Sequence, residues 1–158
     1  MKKEDHSYTG DLNSLKLFAA LLILNNFEAV EYGHRGDGYD LKGIDKNGQL
    51  WLFNLKQRYF ASDKYGDLMM DKSNYDTLLW AQSNNPNSKV AYVQFFTDKI
   101  FISNLQGWSE LSLNCPKTTR FSDNRYVQKT VVKKDQNAIG VKVINYAKID
   151  LNKLKNIY

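Results

Sequence analysis

Few of the residues that usually declare a protein's chemistry occur in this chain. One cysteine, Cys115, among 158 residues rules out an internal disulfide, and neither of the two histidines, His6 and His34, stands in a recognisable local motif with it. Cys115 therefore reads as a structural residue and not as a thiol nucleophile. Two prolines and no Pro/Ser-rich stretch leave no linker, so residues 1–158 read as one domain, long enough to bury a core. No apolar run approaches the roughly 20 residues of a membrane span. The longest, residues 17–24, suits a buried helix, and no membrane partner is expected. The polar opening Met1-Lys2-Lys3-Glu4-Asp5-His6 leads into no apolar signal segment, so the expected location is cytoplasmic.

Charge is present but unevenly placed. The net charge is +5, yet residues 1–110 hold 12 Lys/Arg against 14 Asp/Glu, and residues 111–158 hold 10 against 3. A basic C-terminal third of this kind suits a polyanion, because clustered cations gain affinity by releasing counterions from a phosphate backbone. A solubilising Lys-rich surface fits the same numbers, so charge alone does not choose between the two.

Residues 12–27 carry Leu12, Leu15, Phe18, Ala19 and Leu22 at helical spacing, widened by Leu17, Leu21 and Leu24. Thr9 or Asp11 would cap this helix and Asn25-Asn26 would end it. Strands are expected over residues 29–32, 39–44 and 50–57, followed by a second helix over 69–84 and a strand pair over 89–96 and 100–105. Residues 126–132 and 139–146 would add edge strands, and residues 147–158 a further helix. Helices alternating with strands in this way describe an α/β protein with a mixed sheet. Trp51, Trp80 and Trp108 read as core or half-buried aromatics, and Lys133-Lys134 as a solvated turn.

The turn Asp45-Lys46-Asn47-Gly48-Gln49 sets the register of the central hairpin. A two-residue loop would place Asp40 opposite Leu55, whereas a three-residue loop with a left-handed Gly48 places Asp40 opposite Asn54. One residue of slip moves every side chain to the other face. The Asp-x-Asn-Gly order favours the three-residue loop. On the strand that follows, Leu50, Leu52, Asn54, Lys56 and Arg58 share one face. Three consecutive polar positions at the end of an apolar face mark a cleft, or else a strand end that simply reaches solvent. Asp40 would serve as a metal ligand, the Leu55 carbonyl as a second, and Lys56 as the cation that orients water or stabilises phosphorane charge. His34 and Arg35 lie in a glycine-rich turn; there Arg35 would meet a phosphate if the turn borders the cleft.

This arrangement resembles the PD-(D/E)XK nuclease superfamily, in its phage and intron endonuclease-like branch. Tyr39-Asp40 is similar to the family's first acid, with Tyr in place of Pro. Asn54-Leu55-Lys56 stands at the (D/E)XK position, and Arg58 at a basic position often found two residues on. Gly10-Asp11-Leu12-Asn13-Ser14 resembles the family's helix start, which often carries Glu where Ser14 stands. Tyr65 through Leu79, with Lys72 and Tyr75, resembles the segment after the active-site strand, and Tyr92 to Asp98 the next hairpin. The resemblance covers roughly residues 8–105.

It implies a restriction-endonuclease-like core, a mixed central sheet flanked by helices in αβββαβ order, with residues 106–158 as a basic C-terminal extension on or beside it. It further implies Mg²⁺- or Mn²⁺-dependent hydrolysis of DNA phosphodiesters by a bacterial or phage-encoded intracellular protein. Asp40, Asn54 and Lys56 would form the catalytic set, and Asp40, position 54 and Leu55 the metal ligands. Arg58, Lys72 and Arg35 would contact nucleic acid, and Ser14 would be a helix-borne site position. A second copy is an expected partner, since such nucleases complete their clefts by dimerising.

Two departures separate fold from activity, because Ser14 and Asn54 stand where active members commonly carry acids. Three explanations stay open. The chain is a naturally inactive member that binds nucleic acid or protein; or Asp67 or Asp71, one helical turn apart if the second helix begins early, supplies the missing carboxylate; or Asn54 replaces an Asp that was changed.

Overall fold

The computed structural model describes residues 6–116 and 126–145, with side chains described over 13–113 and 129–145. The helix expected over 147–158, the Cys115 side chain and much of the basic tail lie outside the described residues.

Among the described residues the chain is mixed α/β and mostly sheet, with two α-helices and nine strands. The first helix, α1 (His6–Leu24), is followed by β1 (Glu28–Tyr32), β2 (Leu41–Ile44) and β3 (Leu50–Gln57), which pair antiparallel in order. After β4 (Asp67–Asp71) and α2 (Lys72–Asn84), the chain returns as β5 (Ser88–Phe95), parallel to β3 along its whole length. Antiparallel β6 (Lys99–Ser103) and β9 (Val141–Asn145) complete a six-stranded sheet ordered β1-β2-β3-β5-β6-β9. Between these last two, β7 (Ser109–Pro116) and β8 (Tyr126–Asp135) join β4 in a second, three-stranded sheet.

The helix α1 covers one face of the large sheet. Phe18 meets Phe53 edge-on with ring centroids 5.0 Å apart and Phe95 at 6.2 Å. Ala19, Ala20, Leu21 and Leu22 are buried around them. The helix stops at the expected asparagines: Asn26 takes a left-handed φ of 66°, and the Asn25 amide caps the Leu21 carbonyl at 2.7 Å. It starts earlier than the sequence suggests, so Thr9 and Asp11 fall inside the helical span and not at its start.

The opposite face is shared by α2, whose Leu78 and Ala81 pack on Leu52 and Val90, and by the small sheet, whose Met70 and Val132 pack on Tyr92. Residues 67–71 form β4, so the helix expected from residue 69 begins at Lys72, because residues 67–71 find a partner in β8 from Asp67↔Asp135 to Asp71↔Val131. Residues 126–135 are accordingly the centre of the small sheet and not an edge of the large one. Lys133-Lys134 is a strand segment, with Lys134 only 3% exposed, where a solvated turn was expected. No helix among the described residues is long and apolar enough to cross a membrane.

Candidate functional site

The central hairpin closes with the three-residue loop. Gly48 N–H donates to the Asp45 carbonyl at 2.9 Å and Asp45 N–H to the Gln49 carbonyl at 2.9 Å, with Gly48 at φ +81°. The Asp45 carboxylate locks the turn by accepting from Asn47 N–H (2.9 Å), Gln49 N–H (3.0 Å) and the Trp51 indole (3.0 Å). The Gln49 N–H, then the Trp51 indole, hold its carboxyl below the usual 3.8.

From this turn the ladder runs regularly, Ile44↔Leu50 to Leu41↔Phe53. At Asp40 it breaks. Counting residues puts Asp40 opposite Asn54, yet Asp40 N–H donates to the Phe53 carbonyl at 2.8 Å, so Asp40 and Leu41 both stand against Phe53. Two residues against one is a β-bulge, a device that re-aims a side chain. The Asp40 carboxylate takes over the ladder position that is lost, and its Oδ2 accepts from Leu55 N–H at 2.7 Å. The Asp40 carbonyl in turn accepts from Gly33 N–H at 2.9 Å, which ties in the loop 33–38.

That loop leans on α2. Gly38, at φ +85°, comes so close that a Cβ there would lie 3.0 Å from Ala81 Cβ and 3.2 Å from the Thr77 carbonyl, so a side chain is strained and fits only if its neighbours give way. Between loop, hairpin end and helix lies an open cleft of about 340 Å³, lined among others by His34, Arg35, Asp40, Asn54, Thr77 and Trp80. Asp40 and Asn54 thus share one site on the α2 side of the large sheet, where the β2–β3 ladder ends. Lys56 follows on the same face of β3 and is exposed. Neither the Asn54 amide nor the Lys56 ammonium has a hydrogen-bonding or ion-pair partner among the described residues.

The other candidates are engaged elsewhere. Arg58 reaches across to β4, where Nη2 donates to the Met69 carbonyl and lies 3.5 Å from the Tyr92 hydroxyl. Gln94 Nε2 donates to the same carbonyl at 2.9 Å. Burial pushes the Tyr92 phenol up to about 12, so it stays neutral and works as a donor that helps join the two sheets. Lys72 is held by Asp76 at 2.7 Å and faces Glu110 at 3.7 Å.

The Asp76 carboxylate, first among its neighbours, raises the Lys72 pKa. Ser14 is buried and its hydroxyl donates to Gln57 Oε1. Gln57 alternates with Asn54 and Lys56, so Ser14 lies on the α1 side of the sheet, away from the cleft. Asp67 and Asp71 sit on a strand, and Asp71 is paired with Lys129 at 3.0 Å. The displaced-carboxylate explanation loses its helical basis.

Trp80 and Thr77 were not anticipated as cleft residues. Trp80 is 52% exposed, which excludes the core and leaves it half-buried in the cleft wall. Their spacing of three in a helix puts them on one face, a local signal, but only the loop docking on α2 turns that face into a cleft wall. No family model matches this sequence, and no curated protein matches it.

Proposed function

We propose that the chain is a PD-(D/E)XK-type nuclease-fold protein that binds DNA at the Asp40–Asn54 cleft and is catalytically silent with Asn at position 54. The observation that carries this reading is the convergence of Asp40 and Asn54 in one cleft at a bulged hairpin end, with exposed Lys56 next on the same face. The succession of a helix, three antiparallel strands, a second helix and a strand parallel to the third supports it. The strand β4 is then an insertion between β3 and α2.

The residues present do not fit a resident Mg²⁺ or Mn²⁺. Such ions want one or two carboxylates with open oxygens. Here Asp40 Oδ2 already accepts the Leu55 N–H, and Asn54 brings no charge. No group of three or more His, Cys, Asp or Glu stands close enough to share an ion among the described residues. What the cleft does offer is Arg35 for phosphate and the Asn54 amide as both donor and acceptor; Lys56 stands two residues on along β3, outside the cleft lining.

The test compares the chain with Asn54→Asp on duplex, branched and single-stranded DNA, with and without Mg²⁺. The expected result is salt-sensitive, metal-independent binding by the chain as it stands, and Mg²⁺ binding with cleavage only in Asn54→Asp. Cleavage by the unmodified chain that is lost in Asp40→Ala would overturn the silent reading. Absence of DNA binding at low salt, together with an inert Asn54→Asp, would overturn the nuclease-fold reading.

A further inference from the structure

Trp80 stands out among the cleft residues. Its side chain is half exposed although it sits on a helix whose neighbouring Leu78 and Ala81 are fully buried. Gly38 lies against its ring; a Cβ at Gly38 would lie 3.2 Å from Trp80 Cε3. The lining beside it is polar, from Asn54 and Thr77, and includes the exposed Arg35.

The two acids nearby are already engaged. Asp40 accepts from Leu55 N–H, and Asp37 accepts from His34 N–H at 2.7 Å. A space of about 340 Å³ is at the small end of the roughly 300–1,000 Å³ typical of ligand pockets, far too small for a duplex to enter. A flat aromatic face, an amide with free donors and acceptors, and a cation in the lining complement one unpaired nucleotide: a π-face to stack, an edge to hydrogen-bond and a phosphate to neutralise.

From this geometry we infer that the cleft takes a single unpaired nucleotide of a DNA strand, its base stacked on Trp80, its edge at Asn54 and its phosphate at Arg35. The inference rests on the DNA-binding reading above and narrows it to unpaired DNA. The unpaired base has two sources, a single strand or a base extruded from a duplex, and the test separates them.

Binding is measured for an oligothymidylate, a fully paired duplex and the same duplex with one bulged thymidine, using the chain, Trp80→Ala and Trp80→Phe. Trp80→Ala is expected to weaken oligothymidylate binding about 5- to 150-fold, the range that loss of one stacked base produces, while Trp80→Phe retains most of the affinity. Oligothymidylate should quench tryptophan emission in the chain but much less in Trp80→Phe, which distinguishes stacking from a merely structural role. Quenching by the bulged duplex as well assigns extrusion; quenching by oligothymidylate alone assigns single strands. DNA binding that Trp80→Ala leaves unchanged, with no quenching, overturns the stacking site and leaves the DNA-binding reading intact. Binding to none of the three DNAs overturns both.

Discussion

Replacing Asp40 separates its structural duty from any chemical one. Its carboxylate accepts the Leu55 N–H at 2.7 Å, in place of the carbonyl that a regular ladder would have supplied. Hydrogen bonds to charged groups contribute about 1.5–3 kcal/mol, and a half-buried position reduces this to about 1–2 kcal/mol. For a chain of this size about 1 kcal/mol corresponds to roughly 2–4 °C in Tm, so Asp40→Ala should lower Tm by about 2–8 °C. Asp40→Asn keeps a side-chain carbonyl that can accept the same N–H, and should lose less than half as much.

Amide exchange gives the local readout: Leu55 should lose roughly 5- to 30-fold in protection in Asp40→Ala, and much less in Asp40→Asn. Urea denaturation with an unchanged m-value would confirm that the loss belongs to the folded state. If Asp40→Ala leaves both Tm and Leu55 exchange unchanged, the carboxylate does not hold the bulge and the geometry of the cleft has another origin.

Three further outcomes are expected. Asp45→Ala should lower Tm at pH 7. Because the folded carboxyl titrates below 3.8, its contribution is present above that pH and lost as pH falls through the folded value, so the two melting curves should converge in acid. Lys134 is buried, among the described residues its ammonium donates to the Asn104 side-chain oxygen at 2.9 Å and to no other group, and burial lowers its pKa from 10.5. The unfolded chain then holds the extra proton between the folded value and 10.5, so stability rises with pH in that window. Lys134→Met should accordingly raise Tm by about 2–4 °C at pH 7, with the gain shrinking toward pH 10; a loss at pH 7 would show that the ammonium is needed. Gly38→Ala forces a left-handed φ and a contact of 3.0 Å with Ala81, at a cost of about 2 kcal/mol. DNA affinity should fall with stability in that variant, and an unaltered affinity would argue that loop 33–38 does not shape the binding cleft.

Short-range chemistry was legible in the sequence. The Asp-x-Asn-Gly turn specified the three-residue loop, because Asp45 accepts from N–H groups two and four residues on and Gly48 supplies the left-handed bend. Helical periodicity located α1 on the sheet and the asparagines at its end. Alternation along residues 50–58 put Asn54, Lys56 and Arg58 on one face. These features depend on neighbours within a few residues, and the chain carries them wherever it folds.

What only tertiary structure decided are the features whose partners lie far along the chain. Residues 67–71 became a strand because β8, some 60 residues later, offers a ladder. The same pairing buries Lys134 and brings the Met69 carbonyl to Arg58, which takes that arginine out of the list of free phosphate ligands. The bulge at Asp40 and the docking of Gly38 on α2 join a hairpin end, a loop and a helix face into one cleft, and expose Trp80 in its wall. Sequence alone therefore identified Asp40 and Asn54 as a pair. Long-range pairing, which no local pattern encodes, determined that the pair opens onto an aromatic wall and, among the described residues, shares its cleft with no second carboxylate.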